Sequence, residues 1–214
     1  MSVFGKLQKS FVGGFFRKFF RAEIINPQNE PINNMAYVAC INHSSNWDPI
    51  LLGACMHRPL RYMAKSGLFK VPLLNLIVKM FGAYPVKRDS ADVASVRTTI
   101  SILANGEIVG MYPQGRRAKR IHPEKIEPKS GAAMAAFKAK VGILPVTVIS
   151  KGYKVKAFHK NIVVFGEYMP YEKLAELEKE HENLSKMDLY KLVTNKIYAE
   201  ILENYKKYDR LNKK

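Results

Sequence analysis

The sequence predicts an α/β fold in which helices flank a largely parallel sheet. From residue 36 onward, short runs rich in β-branched and aromatic residues alternate with stretches of helical periodicity. Strands that alternate with crossover helices are typical of a parallel sheet. The 214 residues suffice for one domain, and the 47% hydrophobic content offers enough apolar surface to offset the entropy lost on folding.

The predicted elements follow one another regularly along the chain. Strands are predicted at residues 36–41, 61–64, 83–86, 107–112, 143–149 and 162–165, and helices at residues 49–56, 72–81, 91–104 and 131–139. The C-terminal part of the chain, from Tyr171 onward, is rich in Lys, Glu and Leu, which predicts one or two charged surface helices. We therefore divide the chain into an N-terminal helix at residues 1–24, a central domain at residues 33–170 and C-terminal helices at residues 171–214.

The first 22 residues combine phenylalanines with basic residues and contain no acidic residue. On a helical projection the phenylalanines lie on one side and the cations on the other, with Phe4, Phe11, Phe15 and Phe19 opposite Lys6, Arg17 and Arg21. This pattern predicts an amphipathic helix on a membrane surface. Gly13 and Gly14 favour a bend or two shorter helices. The alternative is a helix packed on the protein's own core.

Composition limits the partners and the compartment. The chain has 35 basic and 18 acidic residues, a formal charge of +17, which predicts attraction to anionic lipids, nucleic acid or an acidic carrier protein. No apolar stretch approaches the roughly 18 residues that span a bilayer, and cations interrupt the N-terminal apolar segment, so we expect neither a span nor a signal peptide. Cys40 and Cys55 lie in apolar runs, which predicts buried thiols in a reducing compartment.

The first group of polar residues is Asn-His-Ser-Ser-Asn-Trp-Asp-Pro at residues 42–49, between a predicted strand and a predicted helix. Enzymes with α/β folds place their sites at such junctions. His43 is able to accept a proton near neutral pH, and a carboxylate bonded to its other nitrogen, such as that of Asp48, would fix its tautomer. Asp48, which precedes a proline, is equally a candidate helix N-cap.

The second group is Met-Tyr-Pro-Gln-Gly-Arg-Arg-Ala-Lys-Arg at residues 111–120, directly after an apolar strand. A glycine beside guanidinium groups suits a phosphate, because arginine donates two parallel hydrogen bonds and glycine lets the backbone come close. The alternative is a solvated basic loop.

Taken together, these segments resemble the motifs of the 1-acyl-glycerol-3-phosphate acyltransferase family, over roughly residues 33–166. The family's N-H-x-x-x-x-D motif is matched at residues 42–48, its glycine, apolar and basic motif at 82–88, its F-P-E-G-T-R motif imperfectly at 112–117, and its apolar strand with proline at 143–146. Gln114 replaces the family's glutamate and Arg116 its threonine. We expect these two replacements to affect the choice of acceptor more than the reaction, because His43 and Asp48 are intact.

The resemblance implies direct transfer of an acyl group from acyl-carrier protein or acyl-CoA to the hydroxyl of lysophosphatidic acid or a related lysophospholipid, giving phosphatidic acid. His43 would be the general base and Asp48 would orient it, with no metal and no cofactor besides the thioester. The acceptor and its phosphate would be bound by Lys65, Arg88, Gln114, Gly115, Arg116 and Arg117. A peripheral protein on the cytoplasmic face of the cell membrane, in contact with anionic lipids, is implied as well.

Other functions stay open at this point. The high positive charge motivates a nucleic-acid-binding module, but no motif of the usual DNA or RNA readers is present, so we expect no nucleic acid partner. A non-catalytic, acyltransferase-like membrane-binding protein would retain the N-terminal helix and treat His43 as structural. A thioesterase would use water in place of the alcohol acceptor. An inactive relative is a further alternative.

Overall fold

The computed structural model describes residues 11–32, 34–86 and 93–212, which form a seven-stranded sheet with helices on both faces. The strands are β1 Ala22–Ile25, β2 Tyr37–Ile41, β3 Leu60–Lys65, β4 Ala83–Val86, β5 Ile108–Met111, β6 Gly142–Ser150 and β7 Asn161–Phe165. The helices are α1 Phe11–Phe19, α2 Asp48–Cys55, α3 Pro72–Met80, α4 Val93–Ala104, α5 Gly131–Ala139, α6 Tyr171–Glu180 and α7 Lys186–Tyr208. Short 3₁₀ helices occupy Pro27–Asn29, Ser66–Lys70, Pro123–Lys125 and Lys151–Tyr153.

The strand order across the sheet is β1-β7-β6-β2-β5-β3-β4. All neighbouring strands run parallel except β6 and β7, which are antiparallel. This arrangement confirms the predicted largely parallel sheet flanked by helices. The six predicted strands are found within one residue of their predicted ends, and so are three of the predicted helices; the fourth is described from Val93.

Alternation along β2 divides the core between the two faces of the sheet. Val38 and Cys40 face the cluster formed with α4, α5, α6 and α7, whereas Tyr37, Ala39 and Ile41 face the cluster formed with α2 and the end of α1. All five side chains are at most 1% exposed. The central strand is therefore buried on both faces, as expected for a strand covered by crossover helices.

Both cysteines lie in this core as free thiols, as the sequence predicts. Burial raises the pKa of the Cys40 and Cys55 thiols to about 12. They are accordingly held as neutral, unreactive apolar side chains.

The N-terminal segment differs from the prediction. Residues 22–24, which the sequence analysis assigned to the first helix, belong to β1, which pairs with β7. Helix α1 ends at Phe19, and the following Phe20 is fully buried, so part of this segment packs on the protein's own core. Phe15 is 56% exposed. Residues 1–10 lie outside the described residues.

The two C-terminal helices are more than a charged surface layer. Helix α7 packs along β6, and its apolar side is buried there through Leu189, Val193, Ile197 and Ile201. The charged residues of the segment occupy the opposite side. Within the described part of the chain, no helix has the length and apolar character needed to cross a membrane.

Candidate active site

The candidate site lies at the edge of the sheet where β2, β5, β3 and β4 end. These strands are parallel neighbours, so the loops that follow them open on the same edge. Cys40 pairs with Met111, which places His43 and Gln114 each three residues beyond this pair. The two loops singled out in the sequence are therefore side by side.

Asp48 is the most enclosed charged group of the site, with no exposed surface. Its Oδ2 accepts hydrogen bonds from the backbone N–H of Ser44 at 2.7 Å and of Ser45 at 2.9 Å. The same oxygen lies 2.7 Å from Nδ1 of His43. Helix α2 begins at Asp48, and the helix N-cap position is held by Trp47, so Asp48 closes the preceding turn instead of capping the helix.

His43 is held by its backbone as well as by its ring. Its N–H donates to Oε1 of Gln114, and its carbonyl accepts from the N–H of Ala118 at 2.9 Å. The imidazole stacks on the ring of Tyr112, with centroids 4.0 Å apart and planes at 20°. Since Nδ1 faces Asp48, Nε2 is the ring nitrogen that can take a proton from a substrate.

Asn42 joins the end of β2 to β6. Its side-chain amide donates to the carbonyl of Val148 at 2.9 Å and accepts from the N–H of Val148 at 2.7 Å. The Asn42 amide thus continues the hydrogen bonding between β2 and β6 by one residue beyond Ile41, the last residue of β2 that pairs with β6. This anchor fixes the start of the turn that carries His43.

Two tyrosines, Tyr112 and Tyr62, support the ring of His43. No role was predicted for them from the sequence. Tyr62 stacks on Tyr112 with centroids 6.5 Å apart and planes at 12°, and its hydroxyl donates to the carbonyl of Pro49 at 2.9 Å. Gly110 allows this stack, because a Cβ atom there would lie 2.9 Å from the Tyr62 ring. The only sequence signal is the position of Tyr112 directly after β5.

The predicted phosphate-binding residues lie at the rim. Arg116 and Arg117 are exposed, and Arg117 donates to Oδ1 of Asn46, which connects the two loops. Gly115 has a φ of 67° and an added Cβ would lie 3.0 Å from the side chain of Lys129. Lys65 is exposed at the end of β3. Arg88 lies outside the described residues.

Gln114, which the sequence predicts to bind the acceptor, is buried within the protein. Its side chain is only 4% exposed, and both polar ends of the amide are used within the protein. Oε1 accepts from His43, and Nε2 donates to the hydroxyl of Tyr198 at 3.3 Å. The motif position of Gln114 predicts acceptor binding, and this stays a prediction; the structure shows the side chain behind the His43 turn.

Among the described residues, no group of three or more His, Cys, Asp or Glu side chains is placed so that it could hold a metal ion. The site defined by these residues is a histidine and a buried carboxylate beneath a rim of exposed cations, on a mostly parallel α/β sheet. Such an arrangement is typical of enzymes in which a histidine transfers a proton.

Comparison with known proteins agrees with this class. The family model described as Acyltransferase matches residues 21–149, which is more than half of the chain. The chain therefore belongs to the acyltransferase family.

Relatives include the 1-acyl-sn-glycerol-3-phosphate acyltransferases of Bacillus subtilis and Streptococcus pneumoniae. The first is 33% identical over 124 residues, which cover 58% of this chain and 60% of the relative. The second is 30% identical over 124 residues, which cover 57% of this chain and 45% of the relative. The matched region thus spans about half the length of these relatives.

The crystal structure of the 1-acyl-sn-glycerophosphate (LPA) acyltransferase, PlsC, from Thermotoga maritima has a similar fold. The TM-score is 0.68 at 19% sequence identity, with 94% of this chain and 80% of that chain covered. The similarity supports the α/β architecture described above.

The contact between His43 and Asp48 predicts the tautomer of the imidazole. A carboxylate can only accept a hydrogen bond, so the neutral ring should carry its proton on Nδ1 and leave Nε2 bare. Long-range ¹H–¹⁵N NMR spectra of the ring, with His43→Gln used for assignment, should show this pattern. In Asp48→Asn the preference should weaken or reverse, and an Nε2–H tautomer in the unmodified protein would contradict the proposed geometry.

Proposed function

We propose that this protein transfers a fatty acyl group from an acyl thioester to the hydroxyl of lysophosphatidic acid or a related lysophospholipid, giving phosphatidic acid. The observation that carries the proposal is the His43–Asp48 pair, in which a fully buried carboxylate orients the ring. The family membership and the names of the two bacterial relatives support the same reaction.

In the proposed reaction His43 acts as general base. Its Nε2 takes the proton of the acceptor hydroxyl while the oxygen attacks the thioester carbonyl, and Asp48 stabilises the imidazolium that forms. The tetrahedral intermediate then collapses, the carbon–sulfur bond breaks, and the leaving thiolate receives the proton from the imidazolium. This second proton transfer returns Nε2 to its starting state. No covalent acyl-enzyme is needed.

The rim supplies the proposed binding site for the acceptor's phosphate. Arg117 and Arg116 follow β5, and Lys65 ends β3, so their cations approach the same opening from neighbouring strands. Gly115, with its positive φ, turns the chain just before the two arginines. Charged hydrogen bonds of this kind contribute about 1.5–3 kcal/mol each. Arg88 is included in this set from its motif position.

The same edge of the molecule offers a contact for a membrane. Phe15, Phe19, Trp47 and Phe158 form what we call the aromatic surface, with Phe19 lying 4.6 Å from Phe158 and 6.2 Å from Trp47 between ring centroids. Phe15, Trp47 and Phe158 are 56%, 41% and 69% exposed. Trp47 directly precedes Asp48, so a bilayer at this surface would present lipids to the site.

We therefore propose a peripheral protein on the cytoplasmic face of the cell membrane. The exposed cations Arg17, Lys18 and Arg21 lie in and beside α1 and would attract anionic lipids. The thioester would be presented by acyl-carrier protein or CoA, both of which are anionic and suit the net charge of +17.

Replacing His43 by alanine should reduce transfer strongly, because the hydroxyl proton would lose its general base. We expect turnover to fall about 10²- to 10⁴-fold, with vesicle binding unchanged. The assay uses a labelled acyl thioester with lysophosphatidic acid, read by lipid chromatography. His181→Ala, at the C-cap of α6, is the matched control and should retain activity. Near-normal turnover of His43→Ala would refute the mechanism, and fatty acid release independent of acceptor would indicate a thioesterase.

Replacing Arg117 by alanine should raise the acceptor KM and also lower turnover. A misplaced phosphate would misalign the hydroxyl at His43, and loss of one charged hydrogen bond corresponds to about tenfold or more in kcat/KM. Lys119→Ala removes an exposed cation two residues farther along the same loop and serves as the control. Equal effects of the two variants would indicate that the loop acts only as a general basic surface and that Arg117 makes no specific contact with the phosphate. An effect on the thioester KM alone would assign Arg117 to the donor.

Replacing Phe15 and Phe158 by serine should weaken binding to anionic vesicles. The remaining binding should become more sensitive to salt, because insertion of each ring contributes about tenfold or more in affinity that screening does not remove. Vesicle sedimentation at low and high salt measures this. Met35→Ser, at the opposite edge of the sheet, changes an exposed apolar residue as a control. Unchanged sedimentation would move the membrane contact elsewhere, for example to the exposed Leu73 and Leu76 of α3.

A further inference from the structure

Behind the His43 turn lies a linear chain of three hydrogen bonds. The His43 N–H donates to Oε1 of Gln114, and Nε2 of Gln114 donates to the Tyr198 oxygen at 3.3 Å. The Tyr198 hydroxyl in turn donates to the carbonyl of Pro123 at 2.8 Å. The chain connects the catalytic turn to the long C-terminal helix α7, on which Tyr198 lies.

The two ends of this chain fix the direction of every bond in it. A backbone N–H only donates, and the carbonyl of Pro123 only accepts. Tyr198 has a single proton, which it gives to Pro123, so its oxygen needs a donor from the other side. Gln114 must therefore accept with one end and donate with the other, which an amide does and an ionised carboxylate cannot do.

The side chains in this chain of hydrogen bonds are buried, so each of them depends on its partner within the protein. Gln114 and Tyr198 are each 4% exposed. Burial raises the pKa of Tyr198 to about 12, while its hydrogen bond with Gln114 acts in the opposite direction. A buried donor or acceptor that loses its partner is not compensated by water, so a break in the chain is transmitted to the neighbouring groups.

We propose that Gln114 and Tyr198 are positioning residues that hold the His43 backbone, and with it the imidazole, through this chain. The glutamine that replaces the family's glutamate is then matched to Tyr198 and does not serve to bind the acceptor's phosphate. The effect on turnover rests on the proposed acyl transfer, whereas the effect on the His43 turn does not. As positioning residues they act through His43 without touching the acceptor, so losing either should lower kcat and leave the acceptor KM unchanged.

The kinetic test is a double-mutant cycle. Tyr198→Phe should lower kcat about fivefold and Gln114→Met about tenfold, both with unchanged acceptor KM, as expected from loss of one or more hydrogen bonds. The double variant should be no slower than Gln114→Met alone, because Tyr198 acts through Gln114. Tyr37→Phe is the control: it removes another buried hydroxyl, bonded to Glu30 at 3.1 Å near the start of β2, and should leave kcat unchanged.

A charge at position 114 gives a second kinetic signature. In Gln114→Glu the added carboxylate favours the protonated imidazole of His43, so the acid limb of the pH profile of kcat should move toward higher pH. Gln114→Met adds no charge and should leave the limb in place. A raised acceptor KM in the Gln114 variants, with no effect of Tyr198→Phe, would overturn the proposal and return Gln114 to the phosphate site.

A structural readout separates this proposal from the acyl transfer itself. Hydrogen exchange of the amide of His43 should be at least fivefold faster in Tyr198→Phe and in Gln114→Met than in the unmodified protein, and unchanged in Tyr37→Phe. Unchanged exchange at His43 in both variants would overturn the proposal. If the unmodified protein transferred no acyl group, the proposed function would fail while the exchange rates would still decide whether the chain positions His43.

Discussion

The buried carboxylate of Asp48 is the constraint from which the rest of the site follows. A charge without access to water is costly unless hydrogen bonds replace its hydration. The five residues before it supply the N–H groups of Ser44 and Ser45 and the ring of His43, so the turn must adopt the one shape that brings them together. Its place at the first residue of α2 adds the favourable field of a helix N-terminus.

The geometry of the sheet then determines which residues contact this turn. Because β2 and β5 are parallel and in register, the loop after β5 reaches His43 at the same height, and the rings of Tyr112 and Tyr62 fill the space beneath it. Gly110 and Asn42 each serve this packing, one by leaving room for a ring and the other by extending the hydrogen bonding to β6. The site is thus set by strand geometry and close packing together.

Most of the fold and of the candidate site could be predicted from local patterns in the sequence. The strands and crossover helices of the central domain have a periodicity that is visible within a few residues. His43 and Arg117 lie in loops that a parallel sheet brings together, and Asp48 begins the helix that follows the first of these loops. β1 was missed because its four residues follow a phenylalanine-rich helix and gain their strand character by pairing with β7, far along the chain. The hydrogen bond between Gln114 and Tyr198 could not be predicted for a related reason, since Tyr198 lies on α7 and no local pattern connects the two residues.

The distribution of charge separates two tasks within the site. The cations Lys65, Arg116 and Arg117 are exposed at the rim, where water and salt weaken each contact, whereas His43 and Asp48 lie below them with almost no exposed surface. Under the proposed function the phosphate stays at the solvated rim and only the hydroxyl reaches the imidazole. On this proposal, replacements at the rim, such as arginine for threonine at position 116, would alter which acceptor is bound, while the buried pair would determine whether the bound acceptor reacts.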